Sequence, residues 1–251
     1  MGSGIAQVAA FHGHQVYLCD REHSALERAV LTIQKSLERV VRKIDSIDQE
    51  SLPGKALRLI ETGTDREALA ESDFVIEAVF EDFETKKEVF HQLDEICGDD
   101  AVLASNTSSI SITRLAACTK RPESVVGMHF MNPVPVMRLV EIIRGLESSA
   151  FILQKTRDLT LNLEKVPVEV KDFPGFVANR VLLPMLNEAM FAVMEGVAEV
   201  AAVDQVMKLG MNHPMGPLQL ADLIGLDVCL DILKVLFEGY GDPKYRLCPL
   251  L

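Results

Sequence analysis

An α/β fold followed by an all-helical domain is what this sequence predicts, on three observations. Short apolar runs of buried-strand composition, among them FVIEAV at 74–79, alternate with stretches of helical periodicity up to about residue 171. Asp172-Phe173-Pro174-Gly175 then breaks the pattern, and each later segment reads as helix stopped by glycine. Polar, chemistry-bearing residues (Asp20, Glu81, Ser108, His129) collect at or just after the strand ends, where an open α/β sheet places its ligands. Two domains are therefore expected, 1–172 and 173–251.

The first residues read as a helix N-terminus. Gly2 and Gly4 allow the backbone a close approach, and Ile5, Val8 and Ala9 form an apolar stripe stopped at Gly13. Residues 15–19 (QVYLC) read as a strand ending in Asp20. A glycine-bearing helix start, a strand and a terminal acid are the second half of a dinucleotide-binding fingerprint. In that geometry the helix N-terminus faces a pyrophosphate and Asp20 holds the adenosine ribose, which favours NAD over NADP. The strand and two glycines that normally open the fingerprint do not precede Gly2. The sheet is accordingly expected to lack its first strand, leaving two neighbours with unpaired backbone groups at about 1–3 kcal/mol for each buried one.

Residues 22–50 form a long charged helix or helix pair, with Leu26, Val30, Ile33, Leu37, Val40 and Ile44 inward and Pro53-Gly54 as its end. Lys35, Arg39, Arg42 and Lys43 could meet an anionic ligand tail, or form a solvated face balanced by Glu38. A short strand is expected at 57–61, a central strand at 74–79, a helix at 84–97 and a strand at 101–104. The hydroxyl-rich turn Ser105-Asn106-Thr107-Ser108-Ser109 follows, and with Glu81 it should line one crevice. Such a cluster also serves as plain turn chemistry.

An alternating run then delivers His129 to a strand end, a turn containing Asn132, Pro133 and Pro135 follows, and a return strand at 139–143 carries Glu141. Strand, turn and return strand can bring residues twelve apart side by side, so His129 and Glu141 can form a pair in which the carboxylate fixes the imidazole tautomer and orients the ring. Helix 148–163 and strand 166–171 complete the α/β part, and helices are expected at 176–194, 201–209, 217–224 and 226–237. The stretch 185–197 (MLNEAMFAVMEGV) is apolar on more than one face, as a core or a dimer contact requires.

Composition narrows the partners. Apolar residues make up 48% and charged residues 25%, an ordinary globular balance, while a net charge of −12 argues against nucleic acid or an anionic membrane. Five scattered cysteines without a CxxC or metal-ligand spacing point to reduced thiols and a cytoplasmic location. No signal peptide is recognisable, and no apolar run is long enough to span a bilayer.

SNTSS at 105–109, HFMNPVPVMRLVE at 129–141, PGFVANR at 174–180 and HPMGPLQLADLIGLD at 213–227 together resemble the short-chain 3-hydroxyacyl-CoA dehydrogenases, along the whole chain. The resemblance implies a Rossmann-like doubly wound sheet, here without its first strand, and an all-α C-terminal domain. It implies NAD-dependent oxidation of a (3S)-3-hydroxyacyl-CoA, with 3-hydroxybutyryl as the expected acyl group, or the reverse reduction. By the same carry-over His129 is the general base, Glu141 orients it, Ser108 hydrogen-bonds the reacting oxygen, and Asn179 polarises the substrate carbonyl. Gly2, Asp20, Glu81, Lys86, Ser108 and Asn132 fall at the cofactor; Ser36, Lys43, Ser108 and Asn179 fall at the acyl-CoA substrate. No metal is implied, and a homodimer through the helical domain is. The family normally continues past Leu251 with a basic, glycine-rich tail, so the chain is expected to stop short at both ends. Two alternatives stand beside this reading: a non-catalytic fragment keeping the CoA and dimer surfaces, and a dehydrogenase of a sugar acid or other free 3-hydroxy acid.

Overall fold

A computed structural model describes residues 1–41 and 51–251, and the side chains of all of these except 40, 41, 51 and 52. It forms two compact units, Met1–Asp172 and Phe173–Leu251.

The first unit runs α1 (Gly2–Phe11), β1 (Val16–Cys19), α2 (His23–Val41), α3 (Ser51–Arg58), β2 (Ile60–Gly63), β3 (Phe74–Glu77), α4 (Phe83–Ile96), β4 (Val102–Ser105), α5 (Ile112–Ala116), β5 (Val125–Phe130), β6 (Leu139–Arg144), α6 (Ala150–Asn162) and β7 (Val166–Lys171). Its strands form two ladders. β1 and β2 pair in parallel; the other five run in the order β3-β4-β5-β6-β7, parallel except for the antiparallel β5–β6 pair. Among the described residues no ladder joins β1 to β3.

A helix ties the ladders together instead. Ile5 and Val8 of α1 pack into the core made by Val102, Ala104, Val126, Met128, Val140 and Ile142, with Phe74 and Ile76 beside it. Ala6 and Ala10, on the same helix, belong to a second core with Ile33, Leu37 and Ala56, against Val16 and Leu18 of β1. β4 and β5 are buried along their whole length, and Ser105 and His129 are their only polar side chains. Each fully buried Val, Leu, Ile or Phe in these layers contributes about 1.5–3 kcal/mol.

Two boundaries differ from expectation. Pro53 and Gly54 do not end a helix; they lie early in α3, where the amide proline lacks would have no helical partner. The strand expected at 57–61 starts later, because Leu57 and Arg58 complete α3 and pairing with β1 begins at Ile60. The short α5 was not anticipated: five residues carry too little periodicity, and it is held by its Ser111 cap and by Asp172, which accepts from the Ser111 hydroxyl (2.7 Å) and the Thr113 amide (2.8 Å).

The second unit is helical: α7 (Ala178–Met194), α8 (Val200–Gly210), α9 (Pro217–Ile224) and α10 (Leu226–Tyr240). Leu183, Leu186, Met190, Phe191, Ala221, Leu233 and Leu236 form its core. Asn187, buried within it, donates to the Arg246 carbonyl (3.0 Å) and accepts from the Cys248 amide (2.9 Å). α8 buries no side chain and exposes Val200, Val206 and Leu209.

Candidate active site

The antiparallel β5–β6 register sets His129 directly across from Glu141. On these strands Val126, Met128, Val140 and Ile142 face one core, so His129 and Glu141 both project from the opposite face. Their side chains meet at 2.8 Å, His129 Nδ1 to Glu141 Oε2, and both are buried. Backbone proximity two residues earlier makes this possible. A Cβ on Gly127 would lie 2.7 Å from Ile143 Cβ and 2.9 Å from Ile112 Cγ1, so only glycine lets β6 and α5 close down beside the pair.

The neighbouring strand ends supply a polar shell. Glu77, the last residue of β3, is buried; it accepts from the Val79 amide (2.6 Å), the Ser105 hydroxyl (2.7 Å) and the Lys86 ammonium (2.8 Å). Lys86 is 1% exposed, and besides Glu77 it meets Glu81 (3.3 Å) and the Val79 carbonyl (3.3 Å). Glu81 in turn gathers the turn after β4: its Oε1 accepts from the Thr107 hydroxyl (2.5 Å) and the amides of Ser108 (2.8 Å) and Ser109 (3.0 Å). Burial alone would raise the Glu81 carboxyl; the Thr107 hydroxyl, the Lys86 charge and the Ser108 amide outweigh it and hold the carboxyl below the usual carboxylate range. Asn106 accepts from the Phe130 amide (2.9 Å), which fastens the turn to β5 next to His129.

Along α1 a cleft of about 310 Å³ is lined by Ser3, Gly4, Gln7, Ser36, Arg39 and Asn132, among others. Asn132, expected at the cofactor, and Ser36, expected at the acyl-CoA substrate, therefore line one cleft, together with Lys35 and Arg39. The close approach expected of Gly4 is to the loop after β5: a Cβ there would lie 3.0 Å from Val134 Cβ. Lys165, also buried, holds that loop through the Val134 (2.7 Å) and Met137 (2.9 Å) carbonyls. Asp20 stands exposed immediately after β1 and accepts from the Glu22 amide at 3.0 Å. The first turn of α1 carries neither an acidic residue nor a side-chain cap. Helix amides suit a dinucleotide's pyrophosphate, and an exposed acid at a strand end suits its ribose.

Residues 1–173 match the family model for the NAD-binding domain of 3-hydroxyacyl-CoA dehydrogenase, and residues 175–251 match the model for its C-terminal domain. The chain belongs to the 3-hydroxyacyl-CoA dehydrogenase family. It is 52% identical over 251 residues to a probable 3-hydroxybutyryl-CoA dehydrogenase of Bacillus subtilis, spanning all of this chain and 87% of that protein. Identity is 49% to the 3-hydroxybutyryl-CoA dehydrogenase of Bradyrhizobium diazoefficiens, across all of this chain and 85% of the relative. Among solved structures, (S)-3-hydroxybutyryl-CoA dehydrogenase from Ralstonia eutropha superposes with a TM-score of 0.96 at 46% identity, covering all of this chain and 88% of that one.

Of the residues the family resemblance singled out, His129, Glu141, Ser108, Glu81 and Lys86 occupy one region at the carboxyl ends of β3, β4 and β5. Asn179 is buried on the first turn of α7 in the helical unit, and Lys43 lies outside the described residues. Sequence reasoning missed Glu77, and gave Ser105 and Asn106 no part beyond the turn they belong to. The signal for Glu77 was present: an acid inside the apolar run FVIEAV needs a partner when buried. Among the described residues no His, Cys, Asp or Glu group is arranged to hold a metal.

Proposed function

We propose that this chain catalyses NAD-dependent oxidation of (3S)-3-hydroxyacyl-CoA thioesters to 3-oxoacyl-CoA, with 3-hydroxybutyryl-CoA as the substrate to test first, and the reverse reduction. The buried His129–Glu141 pair, at the carboxyl end of the sheet, carries this reading. Asp20, Gly2 and the start of α1 hold NAD in it, and Glu81, Lys86 and Asn132 border the nicotinamide half. NAD, when bound, supplies the hydride acceptor. His129 takes the proton from the 3-hydroxyl while Glu141 holds its Nδ1 and balances the imidazolium charge. Ser108, fixed by Glu81 at its amide, hydrogen-bonds the reacting oxygen. Asn179 polarises the thioester carbonyl, a role for which the resemblance is the warrant. Ser36 and Lys43 bind coenzyme A, and the cleft beside Ser36, Lys35 and Arg39 gives its phosphates a cationic rim.

The first unit is thus the cofactor domain and the second the substrate and dimerisation domain. The exposed Val200, Val206 and Leu209 of α8 favour a homodimer, and five unpaired cysteines suit a reducing, cytoplasmic setting. Spectrophotometric turnover of 3-hydroxybutyryl-CoA with NAD tests the reading. His129→Gln should lose nearly all kcat while NADH binding, followed by fluorescence, persists. Unchanged turnover in that variant removes His129 as the base. The interruption between the β1–β2 and β3–β7 ladders favours one other reading, a protein that keeps the CoA and dimer surfaces without binding NAD. Failure of the unaltered chain to bind NADH would support it.

A further inference from the structure

We propose that Glu77 is a positioning residue that holds the 105–109 turn, and with it Ser108, in its working place beside His129. The inference rests on the role given to Ser108 above. A buried ion pair is poor evidence for a stabilising role, since apolar side chains of the same volume often fill such a site at lower cost. What the Glu77 carboxylate does, and an apolar side chain cannot, is accept from donors on three separate segments: Val79 beyond β3, Ser105 at the end of β4 and Lys86 on α4.

Each of the last two contacts reaches the turn. Ser105 opens it, and the same hydroxyl oxygen accepts from the Thr107 amide at 3.2 Å. Lys86 passes the hold to its far end, because Glu81, which Lys86 meets at 3.3 Å, accepts from Thr107, Ser108 and Ser109. Asn106, between the two anchors, accepts from the Phe130 amide. The turn is thereby fixed at its start, middle and end, and the first and last fixings both lead back to Glu77. With Glu77 neutralised, Lys86 keeps Glu81 as its one carboxylate partner among the described residues. The attraction between them then draws the Glu81 carboxylate away from the amides of the turn.

Hydrogen exchange of the ligand-free protein reads this directly. In Glu77→Gln, amide protection across 107–110 should fall about tenfold or more, the scale of a lost charge-assisted hydrogen bond, while β5 and α6 stay within about twofold of the parent. Turnover should show a matching split: kcat for 3-hydroxybutyryl-CoA about tenfold down, with KM changed less than about threefold. Should Glu77→Gln fail to fold, Ser105→Ala removes a hydroxyl rather than a charge and should loosen the same peptide by about three- to tenfold. Unchanged protection at 107–110, or an even loss across the whole unit, overturns the proposal. The exchange result needs no substrate, so a parent protein that fails to oxidise 3-hydroxybutyryl-CoA would refute the enzymatic reading separately.

Discussion

Replacing Glu141 with glutamine isolates the contribution of one carboxylate charge to the reaction. The side chain keeps its volume, so the buried space it occupies beside Ile143 is not opened. The amide oxygen can still accept from His129 Nδ1, so the 2.8 Å contact survives in one of the two amide orientations. What is lost is the anion opposite a ring that becomes cationic when it takes the hydroxyl proton. A hydrogen bond to a charged group contributes about 1.5–3 kcal/mol against about 0.5–1.5 for a neutral one. The difference, about 1–1.5 kcal/mol, corresponds at about 1.36 kcal/mol per decade of rate to about 5- to 13-fold in kcat. If the amide turns its NH2 to the ring, the imidazole is driven to the other tautomer and the loss is larger, as when the triad aspartate of a serine protease becomes asparagine. Initial rates from NADH absorbance, with each substrate varied, give kcat and KM separately; KM for NADH should change little. A kcat within about twofold of the parent, with the variant folded, would refute the assignment of Glu141 to the proton-transfer step.

Three further outcomes follow from distances already given. Gly127→Ala places a methyl 2.7 Å from Ile143 Cβ and 2.9 Å from Ile112, an overpacking that should cost about 1–3 kcal/mol, visible as a lower urea midpoint and reduced activity. The Glu81 carboxyl is held below the ordinary range in the folded state, so its contribution to stability is fully present above that range and disappears as pH falls through the folded value. The urea midpoint of the parent should therefore drop more steeply with acid than that of Glu81→Gln, and equal slopes would contradict the assignment. Lys165→Met leaves the Val134 and Met137 carbonyls without their shared donor, at about 1–3 kcal/mol. Urea unfolding reports the loss of stability, and calorimetric titration with coenzyme A should show weaker binding, since that loop walls the cleft.

The alternation of strands and helices was legible because strands buried on both faces are mostly apolar, as at 102–104 in β4 and 125–128 in β5. The His129–Glu141 pair was legible for a different reason: a strand, a proline-bearing turn and a return strand leave few registers, and the observed one puts the two opposite each other. The helices of the second unit could be placed from their glycine stops, among them Gly196 and Gly225, both at positive φ. Features built from long-range contacts did not show. Glu77 meets Ser105 across β3–β4, and nothing local in FVIEAV names that partner. Equally, no local pattern reveals that Lys86 would spend its charge inside the protein on two carboxylates. The proline of α3 misled because proline reads as a stop unless the helix start is already known.

The two ladders differ in how their edges meet solvent and other chains. β7 ends the larger ladder with Pro167, which has no amide to offer, and with Glu169 and Lys171, whose charges discourage a further strand. Among the described residues β1 pairs with β2 alone, and its sequence VYLC contains no proline, no glycine and no charge. An edge of that composition is a template for another molecule's backbone. Solution behaviour should reflect this asymmetry: on warming below the unfolding midpoint, turbidity should grow with protein concentration, and a lysine at Tyr17 should suppress it where one at Val168 does not.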